Sequence, residues 1–130
     1  MSGMMQSVMA VGVGAALGAL LRWLFSVAWN AVFPLLPLGT LSANLLGCLL
    51  MGVALGFFAH HVELPDTWRL LCVTGFLGGL TTFSSFAGEV TLLLRDGRPA
   101  WALASIAAHV VGSLAMTALG LAGYALLLKR

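Results

Sequence analysis

The part of the chain that decides its fold is residues 74–89, which read TGFLGGLTTFSSFAGE. Paired glycines disfavour a helix interior by about 1 kcal/mol each relative to alanine. Four hydroxyl residues then follow within five positions, and the whole stretch lies inside an apolar run. Broken backbone is tolerated at membrane depth only where it is buried in protein or lines a wet cavity. The stretch therefore predicts a membrane helix that is interrupted near its middle.

Four apolar runs each have the length, about 20 residues, that spans a hydrocarbon core. We predict spans at 8–33, 38–59, 68–94 and 100–128. Of the 130 residues, 61% are hydrophobic and 8% charged, whereas a soluble domain carries about 25% charged residues. The predicted fold is an all-α membrane protein, a single transmembrane domain over 1–130 with four transmembrane helices. The third helix is broken near mid-membrane.

Charge and cysteine content exclude several classes of protein. The formal net charge of +2 gives no indication of a nucleic-acid partner. Cys48 and Cys72 lie in separate apolar runs, so we expect free thiols rather than a disulfide framework. The first apolar run lacks a basic n-region and is too long for the h-region of a signal peptide, which predicts a retained first helix.

Glycines spaced four residues apart predict where the helices touch. Helices in lipid associate by close packing, which small residues permit. The pairs are Gly14 and Gly18, Gly52 and Gly56, and Gly75 and Gly79.

The basic residues give no preferred orientation. Orientation follows an excess of Lys and Arg on the cytoplasmic side, but here three lie on each side of the predicted membrane. We infer dual topology, in which the chain inserts both ways and pairs head to tail as a two-fold dimer. The residues are Arg69, Lys129 and Arg130 on one side, and Arg22, Arg95 and Arg98 on the other.

The broken stretch is open to two interpretations. A helix interrupted at membrane depth can hold an ion between its ends, or it can be a kink whose hydroxyls bond their own carbonyls. Phe83 and Phe86 share a helix face. They are either packed core or rings whose positive edges stabilise an anion without a formal charge. Two glycines followed by four hydroxyls and two phenylalanines favour the ion site.

Other polar residues at membrane depth are candidates for the same site. Asn44 is the amide of the second span and offers two donors. Glu89 is the acid at membrane depth and is a functional candidate. It is predicted at a pore mouth, paired with Arg22 or with an arginine of a partner. Arg22 either draws anions into a vestibule or extends to the interface.

A polar stripe runs along the fourth span. Ser105, His109 and Ser113 are spaced by four residues and therefore share one face of an otherwise apolar helix. An isolated intramembrane histidine is often simply hydrogen-bonded, but three polar residues in line predict a face that contacts water.

These residues resemble the CrcB/Fluc family of fluoride channels. The similarity rests on residues 18–23 (GALLRW), 39–47 (GTLSANLLG) and 75–86 (GFLGGLTTFSSF), and it covers essentially the whole chain. The segment TTFSxF after two glycines is a specific motif of that family. Length, number of spans and motif order also fit.

The resemblance implies a dual-topology antiparallel homodimer in the bacterial inner membrane, with two antiparallel pores at the subunit interface. It implies passive export of fluoride and strong exclusion of chloride. By resemblance Asn44 lines the pore, Phe83 and Phe86 face the fluoride path edge-on, and Ser84 belongs to a polar track, with Thr82 as a weaker candidate.

The resemblance also implies a structural sodium ion at the centre of the dimer. Backbone carbonyls of Gly78 and Thr81 would hold it, and the two-fold axis would double them to four oxygen ligands.

One departure from the family pattern concerns the fourth span. Some members carry a tyrosine and serines where this chain has Ser105, His109 and Ser113. A histidine there predicts conduction that depends on pH. Ser85 stands where a threonine is common, which we expect to matter little.

Three alternatives remain to be weighed. A small multidrug-resistance exporter also has four spans, but it needs an acid in the first span, where this chain has Arg22. A non-transporting scaffold would explain the glycines and not the hydroxyl-rich break. An enzyme is disfavoured because the sequence offers no cluster of metal ligands and no serine, histidine and aspartate set.

Overall fold

A computed structural model describes residues 2–130 of the chain. It contains four helical segments that are long and apolar enough to cross a membrane. The predicted four-helix architecture is confirmed. The segments are Ser2–Val32, Leu38–His60, Asp66–Arg95 and Pro99–Leu128.

Three of these segments are nearly regular helices. The first comprises α1, Ser2–Trp29, and a 3₁₀ turn at Asn30–Val32. The second is α2, Leu38–His60, and the fourth is α6, Pro99–Leu128. Helix α1 begins six residues before the predicted start of the first span, because polar and apolar residues alike continue the helix at that end.

The third segment is built from several pieces. Helix α3, Asp66–Arg69, continues into a π-helix at Leu70–Leu77 and then into one α-helical turn, α4, at Gly78–Leu80. Two extended residues follow, and α5, Phe83–Arg95, completes the span. The predicted break is therefore present, two residues beyond the glycine pair. The π-helix was not foreseen, because nothing in its apolar sequence distinguishes it from an α-helix.

Prolines and one glycine set the ends of the helices. Pro37 precedes α2, Pro65 precedes α3, and Pro99 is the first residue of α6. Proline suits these positions because the first turn of a helix needs no donor from it. The chain turns between α5 and α6 at Gly97, whose φ of 72° a residue with a Cβ rarely adopts.

Helices α2 and α6 pack backbone against backbone. A Cβ placed on Gly52 would collide with the carbonyl of Thr117, and one on Gly120 would collide with the carbonyl of Leu49. Each helix therefore presents a glycine to the backbone of the other. The paired helices form a rigid support behind the broken span.

Helix α1 packs in the same way against residues 66–80. The glycine pairs of α1 and of the third span lie against each other, and the pair of α2 lies against α6. The prediction that these glycines are helix contacts is confirmed. Their nearest neighbours are Leu71 for Gly14, Phe76 for Gly18, Thr117 for Gly52, Tyr124 for Gly56, Val11 for Gly75 and Ala15 for Gly79.

Buried apolar residues form two small clusters beside the break. One contains Phe86, Val90, Leu93 and Ala102, between α5 and α6. The other contains Ala43, Leu77 and Leu80, between α2 and the third span. Most other large apolar side chains lie on the surface, as expected where the solvent is lipid.

The reciprocal glycine contact predicts a contrast between two substitutions on α6. Gly120→Ala would force α2 and α6 apart, and we expect a loss of about 1–3 kcal/mol, typical of an overpacked contact. Gly123→Ala has open space around it and should stay within about 0.5 kcal/mol of wild type. Thermal unfolding of both variants in detergent measures the difference. Equal melting temperatures would contradict the proposed contact.

Candidate functional site

The break in the third span consists of two extended residues, Thr81 and Thr82. Their ψ angles are 152° and 116°, far from helical values. Thr82 restarts the chain as a helix, because its Oγ1 accepts a hydrogen bond from the N–H of Ser85 at 3.0 Å and caps α5. The Thr81 hydroxyl donates to the carbonyl of Leu77 at 2.8 Å and closes the preceding turn.

Asn44 holds the broken backbone in place. Its Oδ1 accepts from the N–H of Thr82 at 2.7 Å, and its Nδ2 donates to the Thr82 carbonyl at 3.0 Å. The second N–H of the amide points to Nδ1 of His109, also at 3.0 Å. Asn44 therefore uses both donors inside the subunit. Its role is to hold the Thr82 peptide and the His109 ring in position, and it has no free N–H that could bind an ion.

The same contact sets the tautomer of His109. Because Asn44 donates to Nδ1, the neutral ring carries its proton on Nε2, an assignment that rests on this hydrogen bond. Nε2 is buried and has no partner among the described residues. The Ser105 hydroxyl, one turn earlier on α6, is also buried without a partner. The Phe86 ring lies against the imidazole with centroids 4.6 Å apart.

The polar stripe of α6 faces protein and not bulk water. Ser105 and His109 are 0% and 3% exposed, while Ser113 is half-buried. Our expectation of a wet face is wrong for the first two residues within the subunit. The stripe was correctly seen as one face, but hydrophobic periodicity cannot say what that face packs against.

An open groove of about 340 Å³ collects most of the predicted pore residues. Phe83 is 77% exposed at its edge and meets Phe86 edge to face at 5.5 Å. Ser84 is exposed beside the groove, with its Oγ 3.3 Å from Oγ1 of Thr82. The lining residues are Asn44, Cys48, Thr81, Thr82, Phe83, Phe86, His109, Val110, Ser113 and Leu114.

The break releases several backbone carbonyls, among them those of Gly78 and Thr81. In a continuous helix these two would accept from the N–H groups of Thr82 and Ser85. Those two donors go to Asn44 Oδ1 and to Thr82 Oγ1 instead. Gly78 is also exposed, and a Cβ there would have only a carbonyl 3.7 Å away as a neighbour. Hard, neutral oxygen ligands of this kind suit a sodium ion.

Arg22 is tied to the break and not to the acid. Its Nε donates to the carbonyl of Gly79 at 3.0 Å, at the end of α4. A cation is favourable there because released carbonyls give a helix C-terminus a partial negative charge. The suggested pairing of Arg22 with Glu89 within one subunit is wrong, since Arg22 bonds the Gly79 carbonyl and Glu89 bonds the Thr40 hydroxyl.

Glu89 belongs to a polar chain that the sequence reading missed. The Thr40 hydroxyl donates to Glu89 Oε2 at 2.6 Å, and Asn30 bonds Thr40 in turn. Glu89 Oε1 is buried without a partner among the described residues. Thr40 precedes Asn44 by one helical turn and shares its face, and this spacing was the available signal.

Comparison with known proteins identifies the family. Residues 9–121 match the family model described as "CrcB-like protein, Camphor Resistance (CrcB)". This match extends from the first span into the fourth and includes every residue of the groove.

Curated relatives agree over nearly the full length. A protein of Ralstonia nicotianae is 61% identical over 93% of this chain and 94% of its own length. One of Tolumonas auensis is 56% identical over 95% and 98%, and one of Pseudomonas putida is 54% identical over 93% and 95%. All three are named fluoride-specific ion channel FluC. The chain belongs to the CrcB family of membrane proteins.

Proposed function

We propose that this chain is a subunit of a channel that conducts fluoride passively and excludes chloride. Relatives 52–61% identical are named as fluoride-specific ion channels, which assigns the chain to channels and not to enzymes. Among the described residues, the observation that carries the proposal is the pair of buried donors without partners, Ser105 Oγ and His109 Nε2. The His109 imidazole lies against the ring of Phe86.

Unpartnered donors favour an anion over a cation. A buried polar group left without a hydrogen bond costs about 1–3 kcal/mol. An ion that accepts from both groups would recover that cost and replace part of its lost hydration shell. Since neither group carries a formal charge, binding stays weak enough for release, as conduction requires.

The two phenylalanines extend this uncharged route toward the groove. Phe83 and Phe86 meet edge to face, so a ring edge with partial positive charge is presented on one side of the pair. Selection against chloride follows from size, because a dry, narrow path spaced for fluoride does not replace the shell of a larger ion.

We place the complete pore in an antiparallel homodimer. The groove is open on one side, and Phe83 exposes 77% of its surface there. Gly78, in the helical turn before the break, is also exposed, which leaves room for a second backbone. The even division of the six Lys and Arg residues between the two ends supports insertion in both orientations.

A structural sodium ion fits the released carbonyls at the break. Gly78 and Thr81 would each contribute one oxygen, and a two-fold partner would contribute the same pair. The ion would supply charge that holds two broken helices together, while Arg22 already satisfies the intervening carbonyl of Gly79.

In the cell, the protein is a multi-pass membrane protein, which we assign to the bacterial inner membrane. Fluoride crosses membranes as the neutral acid and is trapped inside as the ion. A passive channel would release the trapped ion down its gradient and protect the cell.

The fluoride route predicts the effect of Ser105→Ala. The variant removes a donor that no other residue uses, so the fold should persist. We expect fluoride efflux from liposomes to fall about 10- to 100-fold, since a lost bond to an ion costs about 1.5–3 kcal/mol and each 1.4 kcal/mol is tenfold. A fluoride electrode measures the rate, and chloride-loaded vesicles run alongside.

The matched control is Thr91→Val, which removes an exposed hydroxyl that bonds its own helix. It should conduct like wild type. Absence of fluoride flux from folded wild-type protein, or equal chloride flux, would refute the channel.

The dimer predicts a contrast between adjacent glycines. Gly78→Ala fits within the subunit but adds a methyl group to the exposed break, so we expect normal unfolding and a dimer weakened about tenfold, about 1.4 kcal/mol. Gly79→Ala would collide with Ala15 and destabilise the subunit itself. Analytical ultracentrifugation in detergent measures both. A Gly78→Ala dimer as tight as wild type would place the interface elsewhere.

The sodium site predicts a cation-dependent melting temperature. Replacing sodium by N-methylglucamine should lower it, because a ligand at 100 times its Kd stabilises by about 2.7 kcal/mol. Asn44→Leu frees the Thr82 N–H to compete for the Gly78 carbonyl, so that variant should lose the dependence. If wild type melts at the same temperature in both salts, the carbonyls hold no sodium.

A further inference from the structure

Asn30 makes two hydrogen bonds to one residue, Thr40. Its Oδ1 accepts from the Thr40 N–H at 3.0 Å, and its Nδ2 lies 3.3 Å from the Thr40 Oγ1. The amide orientation is fixed, because a backbone N–H can only donate and so must face Oδ1. The Nδ2 group therefore donates to the threonine hydroxyl.

This donation decides where the Thr40 proton goes. A hydroxyl has one proton and two lone pairs. One lone pair receives the Asn30 N–H, and the proton points to Glu89 Oε2 at 2.6 Å, a length typical of a charge-assisted bond. Thr40 is 2% exposed, so water does not compete for these positions.

The local fold brings Asn30 to this place. The chain leaves α1 at Trp29 and tightens into the 3₁₀ turn that begins at Asn30. Gly39 has no side chain there, and a Cβ would collide with the carbonyl of Phe25 and lie 2.7 Å from Asn30 Oδ1. Only a glycine before Thr40 lets the amide approach.

We propose that Asn30 is a positioning residue that commits the Thr40 hydroxyl proton to Glu89 and so holds this carboxyl in one place at the mouth of the route. The residue acts through Thr40 and does not touch the ion. Glu89 lines a second cavity of about 330 Å³ near Pro34, Asp96 and Arg98, where a released side chain would have room to swing.

The role in conduction rests on the proposed function. A carboxylate beside an anion route repels the ion unless the carboxylate is held away from the path. Loss of Asn30 would let the Thr40 hydroxyl rotate, free Glu89, and slow fluoride.

Infrared spectroscopy tests the positioning without any transport. The chain has two glutamates, Glu63 and Glu89, and Glu63 lies in an exposed linker. In Glu63→Gln protein labelled with ¹³C-glutamate, the isotope-shifted carboxyl band reports Glu89 alone. We expect Asn30→Ala and Thr40→Val to shift this band, and Asn30→Ala to add no shift in the Thr40→Val protein. A band that moves with Thr40→Val but not with Asn30→Ala overturns the proposal.

The variant Asn30→Asp tests whether a band shift can occur in a protein whose fold is intact. At pH 8 it keeps the acceptor for the Thr40 N–H, so the start of α2 stays capped, but its second oxygen competes for the hydroxyl proton. We expect a shifted Glu89 band in a protein that melts like wild type. An unshifted band would overturn the proposal.

Fluoride efflux gives the functional measurement. Asn30→Ala and Thr40→Val should each lower the rate about fivefold, and the double variant should be no slower than either. Multiplied effects would mean that Asn30 acts independently of Thr40 and would overturn the proposal. Ser26→Ala, which removes a hydroxyl bonded to its own helix, is the matched control and should conduct normally. Wild type without fluoride flux would refute the channel, while the infrared result still decides the role of Asn30.

Discussion

The two hydrogen bonds between the Asn44 amide and the peptide of Thr82 are the interaction on which the site depends. They replace the helical bonds that the break gives up, at a depth where lipid offers none. Because Asn44 takes the Thr82 N–H, the carbonyl of Gly78 is released. The remaining N–H of the Asn44 amide donates to Nδ1 of His109, so the imidazole carries its proton on Nε2, which has no partner among the described residues. One side chain thus sets both the free Gly78 carbonyl, which we propose binds sodium, and the free imidazole N–H, which we propose binds fluoride.

The charged groups near the break are bound to neutral partners. Arg22 donates to a backbone carbonyl, and Glu89 accepts from the Thr40 hydroxyl. The two do not form an ion pair with each other. Neither lines the groove at the break, which contains hydroxyls, the Asn44 amide, an imidazole and aromatic rings. This division suits a path that must attract a small anion without trapping it.

Rigid packing behind the groove keeps these short contacts in register. Helices α2 and α6 approach until backbone meets glycine, and this pair carries Asn44 on one helix and His109 on the other. The distance between the amide and the imidazole is therefore set by Gly52 and Gly120, two and three turns away. Packing in lipid has no hydrophobic driving force, which is why small residues carry it.

The four spans, the break and the glycine contacts could be predicted from the amino acids alone, because apolar run length, helix propensity and residue size act locally. The sequence also placed Phe83 and Phe86 on one face. Helix packing determines that both donors of the Asn44 amide are used within the subunit, and that Ser105 and His109 on the polar face of α6 are buried. It also determines that Thr40 meets Glu89. Those facts depend on which helix faces which. The spacing of Thr40 and Asn44 indicates that they share a face, but it does not identify the residues, dozens of positions away, that this face meets.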